Sequence, residues 1–537
     1  MAPLSSGPAS AGTGVILACV GAPAVYHACL TIARTHQVWT RRRRLERKQR
    51  DYATRKLIEQ SAKLKAGDTA VVPGDTQPQT DVTAGVGEAE ATFGARDALH
   101  ASKSPDKADE EECEMLREAF ASWRCLGRWH NALGYEWREQ GVWEWAFWKL
   151  IWAPLHGKIW YGGGAPSDPA ELAKTLPVMA PNFIQLFGFD PSRPDAPATP
   201  DAISSLTASV SALDASPPRS ASSQEMSDSW EKLSSTSQPS EELVPARSST
   251  ASKRGNSPAK ESQVPSDLTF CWIGQSTTYV QLDGVGILTD PVFAHKTVDT
   301  WLAPPRLAPP PCQLRDLMTC LQICIVSHDH FDHVHPDDVR EIGDSVQWVV
   351  PLGLGSFLRA CGITRIIELD WWQTATVVVN LPQRSEPVSI KISATPAQHW
   401  AARSPFATNS ALWASFVVQG SRQSFFHAGD TGYTDGAFKA IGRVFGGVDL
   451  ALLPIGAYEP RWHLSPQHAS PSDAIKIARD IKARKSVGVH HGTWVLSDEH
   501  YLQPPLDLDK AKAEVGMTDD EFVTVRPGQV MVLSPKT

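Results

Sequence analysis

The sequence predicts a layered α/β domain over residues 267–537. From Leu268 onward, short apolar runs separated by Gly and Asp turns are typical of strands, beginning with LTFCWIG, TTYVQLD and VGILTD and continuing to SFFHAGD. Helix signals lie among them: Ser470 precedes Pro, Ser and Asp at the start of AIKIARDIKA, and FKAIGRVF lies between two strands. Strands mixed with helices over this length indicate stacked layers of sheet and helix.

Composition excludes some classes of protein. The chain has 537 residues and a net charge of 51 − 59 = −8, so it carries no overall attraction for nucleic acid. Its nine cysteines form no CxxC pair, and we interpret them as reduced thiols of an intracellular protein.

Residues 1–56 combine an apolar segment with a basic flank. Residues 14–33 contain no charged side chain, and Arg34 and the run Arg41–Arg44 follow them. A helix of twenty residues spans about 30 Å, so we predict a membrane anchor. A cleaved targeting segment is the alternative, although no basic residues precede the apolar run. If the segment spans a bilayer, the basic flank keeps the rest of the chain on the cytosolic or matrix side.

Three further regions precede the α/β domain. Residues 57–110 are polar and without periodicity, which predicts a disordered tether, and residues 191–266 are rich in Ser and Pro, which predicts a disordered insertion. Residues 111–190 are predicted to be a helical segment that packs on or leads into the domain. Indole rings favour both protein cores and the headgroup zone of bilayers, so both environments stay open for it. Its tryptophans include Trp123, Trp129, Trp137, Trp143, Trp145, Trp148, Trp152 and Trp160.

The run His328-Asp329-His330-Phe331-Asp332-His333 directly follows the apolar strand LQICIVS. Side chains two residues apart on an extended backbone point to one side, so His328 and His330 form one pair. Asp332 and His333 lie beyond a bend and form a second pair. The two pairs predict two metal ions, and imidazole with carboxylate favours zinc, with iron or manganese as alternatives.

Three later residues end predicted strands with side chains that bind metals. His399 ends ATPAQHW, Asp430 ends FFHAGD and His490 ends SVGVHH. A carboxylate can bridge two cations, so Asp430 is the predicted shared ligand.

Several motifs resemble those of one known family. They are WIGQSTTYVQLDGVGILTDPVF, SHDHFDHV, TPAQHW, AGDTGY, IGAYEPRW, the Gln467-His468 pair, HHGTW and DEHYLQPP. Together they resemble the N-acyl-phosphatidylethanolamine-hydrolysing phospholipase D branch of the metallo-β-lactamase fold superfamily. The likeness covers residues 268–535, with LPVMAPNF leading into it. It implies a four-layer αββα sandwich that holds one or two metals at strand ends.

The resemblance also implies roles for individual residues. One zinc would be held by His328, His330 and His399, and the other by Asp332, His333 and His490, with Asp430 between them. His491 stands where the family usually has an aromatic residue, so His490 and His491 compete as ligands, and we favour His490 because it lies at the strand exit. The predicted catalytic residues are Asp332, Asp430 and His468. Asp290 is a candidate for orienting a ligand histidine.

The implied reaction is zinc-dependent hydrolysis of N-acyl-phosphatidylethanolamine to N-acylethanolamine and phosphatidic acid, by attack of metal-bound hydroxide on the phosphodiester. The implied partners are the phospholipid substrate and a membrane surface, and no nucleic acid. The mitochondrial inner membrane and endomembranes both fit the apolar segment with its basic flank. Other hydrolases of the same fold, such as a lactonase or a nuclease, are alternatives. A catalytically silent, membrane-tethered scaffold is a further one.

Overall fold

A computed structural model of the protein describes residues 39–55, 107–125, 127–131, 147–156, 164–189, 206–212, 267–298, 303–382, 384–404 and 407–536, with a few single positions besides. The predicted anchor at residues 14–33 and the predicted tether at 57–110 lie almost wholly outside these residues. Among the described helices, none is both long enough and apolar enough to cross a bilayer.

The described residues contain two large mixed sheets. The eight-stranded sheet has the spatial order β16 (Phe522–Thr524), β15 (Ala483–Val489), β14 (Val448–Pro454), β13 (Ser424–His427), β12 (Ser415–Gln419), β11 (Val388–Thr395), β10 (Gln373–Val379) and β3 (Leu206–Ala212). The seven-stranded sheet has the order β17 (Val530–Leu533), β4 (Leu268–Gly274), β5 (Thr277–Leu282), β6 (Val285–Thr289), β7 (Ile323–Ile325), β8 (Gln347–Pro351) and β9 (Ile366–Leu369).

Both sheets face a common core. Phe270 and Val280 of the seven-stranded sheet belong to the same buried cluster as Phe416 and Leu452 of the eight-stranded sheet. The pairs β13–β14, β14–β15 and β15–β16 are parallel, as are β6–β7, β7–β8 and β8–β9. The remaining pairs within the two sheets are antiparallel. The mixed sheets and helices confirm the α/β class that the sequence predicted.

The helices connect and cover the strands. The helix Pro471–Asp480 packs on β14 and β15 and begins with the predicted capping box, in which Ser470 and Asp473 bond each other's backbone amides. The predicted helix at FKAIGRVF is also present. The α-helices among the described residues include Lys107–Ala119, Ala153–Leu155, Pro169–Thr175, Phe183–Phe187, Leu314–Met318, Pro336–Ile342, Gly355–Ala360, Ala437–Phe445, Arg461–Leu464, Pro471–Asp480 and Gln503–Val515, and Trp148–Trp152 forms a π-helix.

Two segments differ from the sequence predictions. Strand β3 (Leu206–Ala212) lies inside the predicted disordered insertion 191–266, yet its backbone pairs with β10 at the edge of the eight-stranded sheet. Backbone hydrogen bonds hold an edge strand without needing a strongly apolar sequence, which is why composition missed it. The predicted helical segment 111–190 contains a hairpin, β1 (Trp123–Cys125) and β2 (Arg128–His130). The rest of the predicted insertion lies outside the described residues.

The basic flank forms a helix over residues 39–55 that contacts the acidic helix Lys107–Ala119. Arg44 and Lys48 both pair with Glu118, and Arg55 pairs with Glu111. Part of this positive charge is therefore neutralised within the protein.

Candidate metal centre

The metal-binding residue types gather where four strands end. The segment 328–333 follows β7, His399 lies beyond β11, Asp430 beyond β13, and His490 directly follows β15. These strands belong to both sheets, so the side chains meet between the ends of the two sheets. All seven residues predicted as metal ligands fall into two groups that share Asp430, within which the ligand atoms lie within 4.8 Å of one another.

The first group contains His328, His330, His399 and Asp430. His330 Nδ1 lies 2.9 Å from His328 Nε2 and 3.2 Å from His399 Nε2. Asp430 Oδ2 lies 3.9 Å from His328 Nε2 and 3.7 Å from His399 Nε2. Three imidazole nitrogens and one carboxylate oxygen therefore surround one point.

The second group contains Asp332, His333, Asp430 and His490. His333 Nε2 lies 3.1 Å from Asp430 Oδ2 and 3.6 Å from Asp332 Oδ2. His490 Nε2 lies 3.0 Å from Asp430 Oδ1 and 3.4 Å from Asp332 Oδ2. The Oδ1 atom of Asp430 therefore lies near His490, and its Oδ2 atom lies near His333 and the histidines of the first group.

These spacings fit divalent metal ions. Tetrahedral zinc with ligand bonds of about 2.05 Å separates its ligand atoms by roughly 3.3 Å, close to most of the distances in both groups. His333 Nε2 and Asp430 Oδ1, which both face the second group, are buried without a hydrogen-bond partner among the described residues. Buried polar atoms normally have partners, and cations between them would provide these. Both groups can therefore hold a metal ion.

Hydrogen bonds fix which ring nitrogen of two histidines faces the centre. His333 Nδ1 donates to Asp290 Oδ2 at 2.8 Å, because a carboxylate can only accept. His399 Nδ1 likewise donates to the carbonyl of Gln467 at 2.9 Å. In each ring the hydrogen-bond partner of Nδ1 therefore sets the orientation of the ring and turns Nε2 toward the metal group.

Charge is unevenly distributed across the centre. Burial lowers the pKa of His330 to about 4 and that of His399 to about 3, so both rings are neutral and have a free lone pair. Burial would also lower the pKa of His490, but the carboxylates of Asp430 and Asp332 outweigh it and raise the pKa to about 9. The second group contains two carboxylates, those of Asp332 and Asp430, whereas the first group contains only that of Asp430.

His468 and His491 occupy different places. His468 Nδ1 is buried without a hydrogen-bond partner among the described residues and lies 3.9 Å from Asp430 Oδ2, at the edge of the centre. His491 belongs to neither group, and its ring packs 4.8 Å from that of Trp272. Of the two neighbouring histidines, the structure places His490 at the metal centre.

Asp290 accepts hydrogen bonds from three residues around the centre. Besides His333 Nδ1, it accepts from Ser327 N at 2.6 Å, Ser327 Oγ at 2.8 Å and His427 Nε2 at 2.9 Å. Burial would raise its pKa, but His427 and His333 outweigh burial and lower the pKa to about 2. Asp290 is therefore an anion that orients a residue of the second group.

Gln275, which was not among the predicted metal ligands or catalytic residues, also lies at the site. Its side-chain amide donates to Asp332 Oδ2 at 2.7 Å, and the same nitrogen lies 2.8 Å from His490 Nε2. Gln275 directly follows β4, so its place at a strand end was a signal, but an uncharged amide does not suggest a metal site by itself.

Comparisons with known proteins agree with this geometry. A family model described as a beta-lactamase superfamily domain matches residues 286–491, the stretch from the first residues of β6 to His491. Every residue of the two groups lies within these bounds.

Three relatives each match about half of the chain. The N-acyl-phosphatidylethanolamine-hydrolyzing phospholipase D 1 of Caenorhabditis elegans is 38% identical over 285 residues, which cover 50% of this chain and 77% of that protein. The mitochondrial N-acyl-phosphatidylethanolamine-hydrolyzing phospholipase D of Saccharomyces cerevisiae is 40% identical over 252 residues, 46% of this chain and 52% of that protein. An uncharacterized protein of Mycobacterium bovis is 35% identical over 275 residues, 49% of this chain and 68% of that protein. The chain therefore belongs to the N-acyl-phosphatidylethanolamine-hydrolyzing phospholipase D family of beta-lactamase-fold hydrolases.

Proposed function

We propose that this protein is a zinc-dependent phospholipase D that hydrolyses N-acyl-phosphatidylethanolamine to N-acylethanolamine and phosphatidic acid. One observation carries the proposal: two groups of metal-binding side chains share Asp430 in a chain 38–40% identical to two enzymes named for this reaction. A phosphodiester needs charge neutralisation and an activated water, and a paired metal site supplies both.

Seven residues of the chain would bind the two metal ions. His328, His330 and His399 would hold one zinc ion, Asp332, His333 and His490 the other, and Asp430 would join them. When bound, two such ions lower the pKa of a water molecule and offset the negative charge of the phosphodiester. Gln275 donates a hydrogen bond to Asp332 and so holds this carboxylate in place.

His468 is positioned to bind the substrate. Its unpartnered Nδ1 lies beside the carboxylate that both groups share, and an imidazole has an N–H to donate in either protonation state. We assign it the role of donating a hydrogen bond to the phosphodiester. In the reaction, the oxygen of water bonds to phosphorus, the bond from phosphorus to the N-acylethanolamine oxygen breaks, and that oxygen takes up a proton.

Product analysis tests the proposed reaction. The purified, zinc-loaded protein is incubated with N-acyl-phosphatidylethanolamine in water enriched in ¹⁸O, and the products are identified by mass spectrometry. We expect unlabelled N-acylethanolamine and phosphatidic acid carrying one ¹⁸O, because the attacked atom is phosphorus. Diacylglycerol with a phosphorylated N-acylethanolamine would instead show cleavage of the other ester bond and would contradict the proposal.

Parallel substrates separate the proposed reaction from the alternatives. A lactone and a structured RNA are offered under the same conditions. Turnover of either one, without turnover of the lipid, would assign the centre to another hydrolase of this fold. No turnover of any substrate with both metals bound would favour a silent scaffold.

The proposed substrate lies in a membrane, and one apolar surface suits contact with it. A lipid-facing patch lies on the segment 147–155 and on the helix Arg461–Leu464. Its side chains are all exposed, from 37% to 79%, and are Phe147, Leu150, Ile151, Leu155 and Trp462. Large apolar side chains clustered on a surface mark sites of contact with proteins or membranes.

The lipid-facing patch is connected to the metal centre. Trp462 contacts the rings of Phe147 and Trp152, at 6.0 and 5.8 Å between centroids. The helix that carries it ends four residues before His468. A membrane against this patch would therefore lie near the residue that we assign to the phosphodiester.

Vesicle flotation measures the role of the lipid-facing patch. Replacing Leu150 and Leu155 by Asp in the full chain is expected to lower binding to phosphatidylcholine vesicles containing N-acyl-phosphatidylethanolamine at least about 10-fold, since each buried Leu contributes roughly 1.5–3 kcal/mol. Ile184→Asp, which alters a side chain of 61% exposure outside the patch, serves as the control. The parent sequence and the Leu150→Asp, Leu155→Asp variant are also both made without residues 1–50, which removes the predicted anchor. If the parent sequence without residues 1–50 no longer binds vesicles at all, the patch has no role of its own.

The yeast relative is named as a mitochondrial protein. We propose an intracellular, membrane-associated location for this chain, at the mitochondrial inner membrane or an endomembrane. Imaging of the full chain with a C-terminal fluorescent tag distinguishes the two membranes.

A further inference from the structure

The hairpin β1–β2 reaches the metal centre although it lies outside the stretch matched by the superfamily model. Trp129 N donates to the carbonyl of Asn409 at 2.8 Å, and Arg128 donates to the carbonyl of Thr408. The hairpin is thus fixed to the loop that follows His399 in the chain. Its next residue, Asn131, is only 1% exposed.

Asn131 bonds to both sides of the peptide backbone of His399. Its Nδ2 donates to the carbonyl of His399 at 2.6 Å, and its Oδ1 accepts from the amide of His399 at 3.2 Å. The two bonds tie one side chain to a residue 268 positions later. A side chain needs a donor and an acceptor in one rigid plane to do this, as the amide of Asn has.

Other contacts hold Asn131 itself. Trp413 Nε1 donates to Asn131 Oδ1 at 3.2 Å, and Trp123 Nε1 donates to the carbonyl of Asn131 at 3.4 Å. Both indoles are buried, so the side-chain amide has little freedom to turn. The Trp-rich hairpin therefore presents Asn131 in one fixed orientation.

We infer that Asn131 is a positioning residue for the metal centre, which fixes the backbone of His399 while Gln467 fixes its ring. Gln467 accepts from the ring nitrogen Nδ1 of His399 and so sets the rotation of the ring. Asn131 bonds instead to the amide and the carbonyl of His399 and so fixes the position of its backbone. This inference rests on the proposed metal pair, but not on the identity of the substrate.

Metal retention tests the role of Asn131 independently of activity. The full-length protein is loaded with zinc, and the loss of each equivalent to a chromogenic chelator is followed over time. We expect two zinc ions in the parent. In Asn131→Ala, one of them should leave about 10- to 100-fold faster, the effect typical of losing a partner that orients a metal ligand. Asn131→Asp keeps the size of the side chain but lacks the donor, and should give the same result.

Two further variants separate positioning from general stability. Asn182→Ala also removes an Asn side chain that accepts a hydrogen bond from a backbone amide, here that of Gln185 at the start of a helix. This variant should leave the release of both ions unchanged. In a His399→Ala background, Asn131→Ala should have no additional effect on zinc release, because the ligand that it positions is gone.

Three outcomes would overturn the inference. The first is that Asn131→Ala and Asn131→Asp release both ions at the parental rate. The second is that Asn131→Ala accelerates zinc release as strongly in the His399→Ala background as in the parent. The third is that the parent binds no zinc at the first group. A failure of the proposed function is visible separately, as a parent that holds two zinc ions and does not hydrolyse the lipid.

Discussion

Replacing Asp430 by Asn is expected to lower the rate of N-acylethanolamine release by at least about 100-fold, because both metal groups lose the carboxylate that they share. Asp430 is the one residue common to both metal groups, and its two oxygens face different histidines: Oδ1 lies 3.0 Å from His490 Nε2 and Oδ2 lies 3.1 Å from His333 Nε2. An amide keeps the shape but has a single acceptor oxygen and no charge. The change should therefore weaken the binding of both ions.

Mass spectrometry of the products, together with the zinc content of the same samples, measures this effect. Asp435→Asn is a matched control, since the same chemical change five residues later affects only an exposed carboxylate paired with Lys439. The control should retain parental zinc and parental activity. Equal release of N-acylethanolamine by the parent and by Asp430→Asn would refute the dinuclear mechanism.

The candidate ligands could be predicted from the sequence because each lies at the end of a recognisable strand. In a layered α/β domain, functional side chains collect where strands end, and His399, Asp430 and His490 each follow an apolar run that is recognisable as a strand. The hexapeptide 328–333 adds three histidines and two carboxylates at one such end. Spacing alone paired only neighbours within this hexapeptide, and the assignment of His399 and His490 to separate groups came from the resemblance to a known family.

Other features depend on contacts that no local pattern encodes. Asn131 reaches His399 only because the hairpin β1–β2 docks on a loop 268 residues or more away in the chain. Strand β3 is an edge strand whose place is determined by its pairing with β10, and its own sequence, LTASVSA, resembles the low-complexity chain around it. In both cases tertiary pairing decides a structure that propensity leaves open.

Asp290→Ala is expected to cause the largest loss of stability, about 3–5 kcal/mol, because it leaves buried partners without the carboxylate that they face. Asp290 is fully buried and accepts four hydrogen bonds, from Ser327 N and Oγ, His333 Nδ1 and His427 Nε2. Without it, the ring of His333 can turn and its Nδ1 is no longer required to carry the proton. Zinc should therefore also leave the second group about 10- to 100-fold faster.

Urea unfolding of the zinc-free protein and zinc release from the loaded protein measure these two effects separately. Asp344→Ala is the matched control, since Asp344 also accepts several hydrogen bonds, from Thr364 N and Oγ1 and from Arg365 N, but belongs to neither metal group. It should lower stability without changing zinc release. If Asp290→Ala loses stability but releases zinc like the control, Asp290 supports the fold alone. The two effects together would instead show that one buried carboxylate connects the packing of the domain to the orientation of His333.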